Sequence, residues 1–287
     1  MASLKLNGDT SGTVTLTVPA VAGTNTLTLP AVTDTLVGLA ATQTLTNKTL
    51  TSPTLTGPTI TSPTITGVAL SAGTTTVAPL DFASGTNLTT AIAGAMEYDG
   101  KVFYGTPQGT QRGIIPGQQF FRLNSALVGA NSTAAQDTFG VSVTLSSSTV
   151  YVFEQYAVLT KTVGATSHYI ATGFGGSATL NNILYTTTVP FGSGSLPVPS
   201  NTLSNNMYGS ISNTATATNS VGTISNATAN ASLFIKGTVS VGTGGTFTPQ
   251  YALSAAPGGA YSTAAGSYFL IYPIGASGSN TSVGAWA

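Results

Sequence analysis

The side chains that could carry acid–base or metal chemistry are few in this chain of 287 residues. His168 is the only histidine, and cysteine is absent. One chain therefore has too few histidine and cysteine residues to favour a catalytic triad or a zinc site. Three copies of His168 could meet on the axis of a trimer and hold an ion, but a lone histidine in a strand is more often a packed or surface residue. We therefore predict neither a metal site nor a cofactor.

The acidic residues are equally sparse. Cleavage of a glycosidic bond needs two carboxyl groups, one on each side of the sugar. Glu97 and Asp99 flank a turn signal, so turn chemistry is the simpler interpretation. Asp137 and Glu154 are the only carboxylates after residue 118. We predict that the chain is not an enzyme, although a site shared between chains could pair Asp137 of one copy with Glu154 of the next.

Four aromatic residues lie near expected loops or the C-terminus. An exposed aromatic ring can stack on a sugar or anchor a protein interface, although such residues more often cap a core. The candidate surface-binding residues are Tyr208, Tyr251, Tyr261 and Trp286.

The composition limits the partners. Only 5% of residues are charged and the formal net charge is zero, whereas typical soluble domains are about 25% charged. The sequence has no basic patch, so we predict no nucleic-acid binding. It has no run of eighteen apolar residues and no apolar signal core at the N-terminus, which predicts no membrane insertion and no secretory signal. So few charges favour an assembly that buries much of the surface.

A five-residue repeat organises the segment from Leu45 to Leu70. Prolines interrupt it at Pro53, Pro58 and Pro63, which excludes a helix, and a spacing of five would put alternate aliphatic residues on opposite faces of a flat strand. One aliphatic residue in five cannot form a core within one chain, but several chains around one axis could share a seam. The predicted seam residues are Leu45, Leu50, Leu55, Ile60, Ile65 and Leu70.

This repeat predicts a slender homotrimeric shaft over residues 36–70. A single-chain pentapeptide solenoid and a disordered Thr/Pro linker are the alternatives, although six repeats are few for a solenoid. A short helix within 34–47, capped by Asp34, is also conceivable.

The shaft separates three other predicted regions. Residues 1–35 hold two alternating runs, 13–18 and 24–29, that are too short to be stable alone and suit an N-terminal β anchor. Residues 71–117 form a small module, in which Asp99-Gly100 favours a hairpin with a type I′ turn. Glu97 and Lys101 could pair on its exposed face.

Residues 118–287 have a continuous β pattern, which predicts a C-terminal head with a jelly-roll-like β-sandwich. The Ser/Thr/Asn-rich stretch 192–231 is expected to form long loops around one strand near 207–211. The other predicted strands are 119–123, 139–145, 149–160, 167–174, 179–187, 232–241, 246–254 and 266–274.

These pieces together resemble fibre-like virion proteins of tailed bacteriophages, especially the tail-fibre type of marine and cyanobacterial phages. The resemblance covers residues 1–115. In the head it rests on 120–124, FFRLN, and 179–183, TLNNI. The motifs that carry it over residues 1–115 are LNGDTSGTV at 6–14, TLTLP at 26–30, TLTNKTLTSP at 44–53, APL at 78–80, SGTNLTT at 84–90, GAMEYDG at 94–100 and RGII at 112–115.

The resemblance implies a homotrimeric fibre with an N-terminal virion anchor, a shaft and a C-terminal knob. The expected function is that of a short tail fibre, assembled in the host cytoplasm and carried on the virion, that mediates attachment to a host surface glycan or protein. The N-terminus would bind other virion proteins. Because the chain is short for a tail fibre, the alternative is a capsid decoration protein or head fibre docked on the shell by its N-terminus.

Overall fold

A computed structural model describes residues 3–7, 10–17, 24, 49, 51, 67, 69–190, 207–278 and 280–284. Five of the six predicted seam positions, residues 25–29 of the predicted 24–29 run and the possible helix at 34–47 lie outside the described residues. The sixth seam residue, Leu70, is described and is 53% exposed in the single chain.

The described residues contain strands and no helix, and every strand pair is antiparallel. The all-β prediction is therefore confirmed for this part of the chain. The strands are β1 Ser3–Asn7, β2 Thr13–Thr17, β3 Met96–Tyr98, β4 Phe103–Gly105, β5 Gly113–Ile115, β6 Gln119–Arg122, β7 Leu127–Val128, β8 Gln136–Asp137, β9 Val143–Leu145, β10 Thr149–Lys161, β11 His168–Gly175, β12 Thr179–Pro190, β13 Met207–Ser212, β14 Thr218–Ile224, β15 Ala229–Thr243, β16 Gly245–Leu253, β17 Ser262–Thr263 and β18 Tyr268–Ala276.

The chain divides into two compact units, Met1–Val68 and Ala69–Ala287. In the first unit, β1 and β2 pair as a hairpin, with Leu6 opposite Val14. The alternation of Thr with Val and Leu predicts β2. Leu6 is 53% exposed, so this hairpin leaves apolar surface uncovered, as expected for two strands alone.

The second unit is built on two sheets. In the larger sheet β13, β12, β15 and β10 follow one another, β10 then pairs with β17 and β18, and these pair with β7 and β6. In the smaller sheet the order is β14, β11 and β16, and β16 then pairs with β8 and β9. The long central strand β10 alternates strictly between buried and half-buried residues, because one of its faces meets the other sheet.

The two sheets pack face to face around an aromatic core. Phe153 of β10 contacts Phe174 of β11 at 5.0 Å between ring centroids and Phe247 of β16 at 5.9 Å. These rings belong to a cluster of buried residues that spans both sheets. The described head is therefore β-sandwich-like.

Buried hydroxyl groups also join the sheets. Thr172 of β11 lies 2.9 Å from Thr187 of β12 and 2.6 Å from Ser220 of β14, measured between side-chain oxygens. All three side chains are buried. A hydroxyl group both donates and accepts hydrogen bonds, so these three linked hydroxyl groups are hydrogen-bonded to one another without a charged partner.

A three-stranded sheet, β3–β4–β5, precedes the sandwich. The predicted hairpin is present, but the predicted two-residue type I′ turn is wrong. Tyr98 pairs with Phe103, which leaves a four-residue connection in which Gly100 adopts a φ of +87°. The Asp99 carboxylate accepts hydrogen bonds from the backbone N–H groups of Lys101 and Val102, both at 2.8 Å, and this favours the wider loop.

The expected Glu97–Lys101 pair is also absent from these described residues. Glu97 binds Arg112 instead, with Nε and Oε2 2.8 Å apart. Lys101 extends to the sandwich, where its Nζ donates to the Ser147 carbonyl and the Thr149 hydroxyl, each at 3.1 Å.

The stretch predicted as long loops around one strand contains a second strand. β14 covers 218–224, and its Val221 and Ile224 are buried. The strand predicted at 139–145 is restricted to β9, at 143–145.

Candidate functional site

Two of the predicted surface-binding residues are core residues, so their assignment to a binding surface is corrected. Tyr251 is 1% exposed and Tyr261 is fully buried. The Tyr251 hydroxyl donates to Gln136 Oε1 at 3.1 Å, and Tyr261 Oη lies 2.9 Å from His168 Nε2. Both rings point into the sandwich, and burial raises the pKa of Tyr251 to about 12.

The structure does not describe the side chains of the other two candidates. Tyr208 lies on β13, opposite Val189, where only the backbone is described. Trp286 lies outside the described residues.

His168 belongs to a buried polar cluster rather than to an exposed site. Its Nδ1 lies 2.7 Å from the Thr166 carbonyl, so Nδ1 carries the proton and Nε2 accepts from the Tyr261 hydroxyl. Lys161 lies nearby, with its Nζ 5.8 Å from the centre of the Tyr261 ring.

Backbone carbonyl oxygens hold the Lys161 ammonium group. It donates to Asn226 O at 2.7 Å and to Ala227 O at 3.2 Å, and also to the carbonyls of Val163 and Gly164. Burial lowers the pKa of Lys161. Lys161 thus links the loop at 163–164 to the loop at 226–227, and its role is to stabilise the fold.

A row of aromatic residues lies elsewhere, on the side of the larger sheet that faces away from the core. We call this side the outer face. Four rings cross four neighbouring strands there, with centroid separations of 4.5 Å for Phe234–Tyr156, 6.1 Å for Tyr156–Tyr268 and 5.4 Å for Tyr268–Phe120. Phe234 and Phe120, at the ends of this aromatic row, are 45% and 58% exposed.

The rings stand side by side rather than flat. The Phe120 and Tyr268 planes are 27° apart, and those of Tyr156 and Phe234 are 37° apart. The middle pair, Tyr156 and Tyr268, is more strongly tilted, at 48°. A row of rings that pack against one another suits contact with a protein.

Aliphatic residues extend the outer face beyond the rings. Leu184 and Ile211 are 54% and 76% exposed. Lys236 and Glu154 lie opposite each other in the register of β10 and β15, and Glu154 accepts a hydrogen bond from the Tyr268 hydroxyl at 2.8 Å. The sequence signal for this face is that apolar residues occupy both alternation phases of β10, a pattern typical of a strand covered on both sides.

A shallow apolar groove of about 350 Å³ lies where β6 and β9 leave the sandwich edge open. Phe121, Val141 and Phe139 line it, together with Pro249 and Ile271. It has no charged lining residue among those described.

A second cavity, of about 370 Å³, is polar. We call it the polar pocket. It lies between the small sheet and the segment 282–284, and Asn87, Thr89, Thr90, Ala91, Tyr104, Thr110, Arg112, Ser282, Val283 and Gly284 line it.

An ion pair supports the wall of the polar pocket. The Arg112 guanidinium contacts Glu97 through Nε–Oε2 at 2.8 Å and Nη2–Oε1 at 3.2 Å, and Nη2 also donates to the Leu88 carbonyl at 2.6 Å. The Leu88 N–H and then Arg112 hold the pKa of Glu97 below its usual value, against the effect of burial.

Hydrogen bonds also fix Tyr104, which lines the floor of the polar pocket. The Tyr104 hydroxyl donates to Asp99 Oδ2 at 2.9 Å. Burial and this carboxylate raise the pKa of Tyr104 to about 12. Burial opposes the ionisation of Asp99, but the N–H groups of Val102 and Lys101 and the Tyr104 hydroxyl together lower its pKa.

The two carboxylates of the head lie in different sheets. Asp137, on β8, accepts from the Gln250 side chain at 2.9 Å, and Glu154 lies on β10 of the larger sheet. In the described ranges, no three histidine or acidic side chains cluster as a metal site would require. A search of the same ranges finds no helix with the length and apolar character of a membrane span.

No protein-family model matches the chain, and comparisons with curated proteins and with solved structures found no match.

Proposed function

We propose that the chain is a virion structural protein of a tailed bacteriophage, a short homotrimeric tail fibre that attaches the particle to the host surface. The observation that carries the proposal is the outer face, a broad surface of exposed aromatic and aliphatic side chains on an all-β head, which also carries Arg122, Glu154 and Lys236. Such a surface marks a site of contact. The motifs at residues 1–115 support the same class of protein.

The proposed occupant of the outer face is a second copy of the chain. A trimeric shaft would hold three heads together at a high effective concentration, so a modest contact between heads would be sufficient. The row of rings, with the exposed Phe120 and Phe234 at its ends, suits such a contact. Glu154 and Lys236 lie opposite each other on this face, and their opposite charges limit repulsion between identical surfaces.

The head is proposed to be a jelly roll. We number eight strands of the head 1 to 8 in chain order and count β8 and β9 together as the second. The strand order is then 1-8-3-6 in the larger sheet and 2-7-4-5 in the smaller sheet. This is the arrangement of two interlocked Greek keys. In this numbering β12 and β13 are an inserted hairpin that widens the larger sheet. The positions are β6, β8, β10, β11, β14, β15, β16 and β18.

The test of the attachment function is competition for adsorption. Purified full-length protein, added in excess to host cells, should slow adsorption of the phage that carries it, because occupied receptors are not available to the virion. Unchanged adsorption at saturating protein would argue against host attachment.

The alternative is a capsid decoration protein or head fibre that docks on the shell through its N-terminus. The β1–β2 hairpin favours a docking role, since two strands with an exposed Leu6 need a partner surface. Immunogold labelling of virions with an antibody to the head distinguishes the two, because gold particles would decorate either the tail or the capsid.

We propose that the head binds without cleaving its ligand. Acid–base cleavage needs two facing carboxyl groups, whereas Asp137 and Glu154 lie in different sheets and each binds a neighbour. Purified protein should release no reducing ends from host polysaccharide. Release that is lost in Asp137→Asn or Glu154→Gln would show an enzyme.

A further inference from the structure

We infer that the polar pocket is a binding site for one neutral sugar residue. The inference deepens the proposed attachment function, on which its biological meaning rests, and it gives the ligand class as an uncharged glycan. The pocket volume of about 370 Å³ lies near the lower end of the range of small-ligand sites, about 300–1,000 Å³.

The lining has the chemistry that a sugar requires. Thr89, Thr90, Thr110 and Ser282 line the pocket, and all four are exposed. A hydroxyl side chain both donates and accepts, so this set can match the hydroxyl groups of a pyranose in either sense.

An unsatisfied acceptor also points to a ligand. Asn87 lines the pocket, and its Oδ1 atom is buried and has no hydrogen-bond partner among the described residues. Buried polar atoms nearly always have a partner. A sugar hydroxyl in the pocket would supply it.

The charge of the pocket favours a neutral ligand. Arg112 is the only charged residue among the described residues that line the pocket, and the Glu97 carboxylate already neutralises it through two side-chain contacts. The guanidinium group is therefore fixed and compensated, and it offers little attraction to a second carboxylate. A uronic acid would therefore bind no more tightly than a neutral hexose.

The floor provides an apolar contact. Ala91 and Tyr104 are 9% and 7% exposed, and the bond from the Tyr104 hydroxyl to Asp99 fixes the ring. The C–H groups of a pyranose pack well against such a surface, while its hydroxyl groups reach the rim.

Sugar titration of the full-length protein tests the site. The probes are methyl α-glucopyranoside, methyl β-galactopyranoside and N-acetylglucosamine, with sodium glucuronate as the charged comparison. Trp286, the single tryptophan, serves as the fluorescence reporter. Calorimetry gives a second readout. At least one neutral sugar should bind saturably and more tightly than glucuronate.

Isosteric variants locate the binding. Asn87→Leu and Thr110→Val should each weaken the affinity at least tenfold. Thr144→Val, the same chemical change at an exposed position of the apolar groove, should leave it unchanged. Circular dichroism checks that each variant is folded, and the exposed Thr110 is the variant least able to disturb folding. No saturable binding, equal affinity in the pocket variants, or tighter binding of glucuronate would each overturn the inference.

Adsorption competition separates this inference from the proposed function. If Asn87→Leu and Thr110→Val compete for adsorption as well as the unaltered chain, attachment stands and the pocket is not its receptor site. If sugars bind in the pocket but no form of the chain competes, the pocket stands and the attachment function fails.

Discussion

The single histidine lies in the core, where its protonation is linked to folding. His168 is 1% exposed, and burial lowers its pKa from the ordinary value of 6.5, with the nearby Lys161 charge acting in the same direction and the Thr166 carbonyl opposing both. Lys161 and the neutral Tyr261 are the titratable groups that contact it or face it. In the unfolded chain His168 therefore binds a proton near pH 6.5, whereas in the folded chain it stays neutral at that pH.

We expect the free energy of unfolding to fall as the pH drops from 7 to 5. The folded pKa lies below the unfolded one, so the unfolded state binds more protons as the pH falls, and this one group contributes at most about 1.4 kcal/mol per pH unit. Glu97 and Asp99 have lowered pKa values, so the stability that they contribute is lost only at lower pH. Urea unfolding at a series of pH values measures the effect.

The matched variant for this prediction is His168→Gln. Glutamine does not titrate, so the slope between pH 5 and 7 should flatten even if the variant is less stable overall. A slope that persists in the variant would show that another group is responsible.

At the scale of the element, the hairpin of β3 and β4 depends on one carboxylate. Asp99→Ala leaves the N–H groups of Lys101 and Val102 and the Tyr104 hydroxyl without their acceptor. We expect a loss of about 1–3 kcal/mol in the free energy of unfolding. Thermal unfolding measures it, and Asp81→Ala, at an exposed position, is the matched control. Equal effects of the two substitutions would contradict the role of Asp99.

The outer face should contribute more to assembly than to the fold of one chain. Phe234→Ala removes a ring that is 45% exposed, so within one chain it should cost about 0.5–1.5 kcal/mol of ring contact. Phe153→Ala in the core should cost about 3–5 kcal/mol. If copies meet on the outer face, Phe234→Ala with Phe120→Ala should also weaken the oligomer in native mass measurements at decreasing concentration. An oligomer of unchanged strength would exclude this face as the contact.

At the scale of the molecule, the five-residue repeat predicts a homotrimer. Native mass measurement should give about three times the chain mass of 28.6 kDa. A monomer that keeps its β signature would contradict the shared seam.

Charge substitutions test the seam itself. Leu55→Asp with Ile60→Asp should disrupt the trimer, because each buried charge is repeated around the axis and burial of unpaired charge is costly. Thr54→Asp with Thr59→Asp adds the same charges at neighbouring positions of the repeat and should assemble. Equal stability of the two double variants would favour the linker alternative.

Much of the strand pattern follows from the sequence alone. The prediction of 149–160 corresponds to β10 at 149–161, and that of 246–254 to β16 at 245–253. Alternation between apolar and polar residues is a local property, so it can be recognised without a partner strand. β14 escaped prediction because its small Ser, Thr and Asn residues carry little alternation.

The tertiary structure alone decides which face of each strand is inside. Apolar residues occupy both alternation phases of β10, so only its position against the smaller sheet makes Phe153 a core residue and leaves Tyr156 half-buried on the outer face. For the same reason Tyr251 and Tyr261 turn inward. The polar pocket joins residues near 87–112 to 282–284, a separation that no local pattern spans, because contacts between distant segments arise only when the chain folds back on itself.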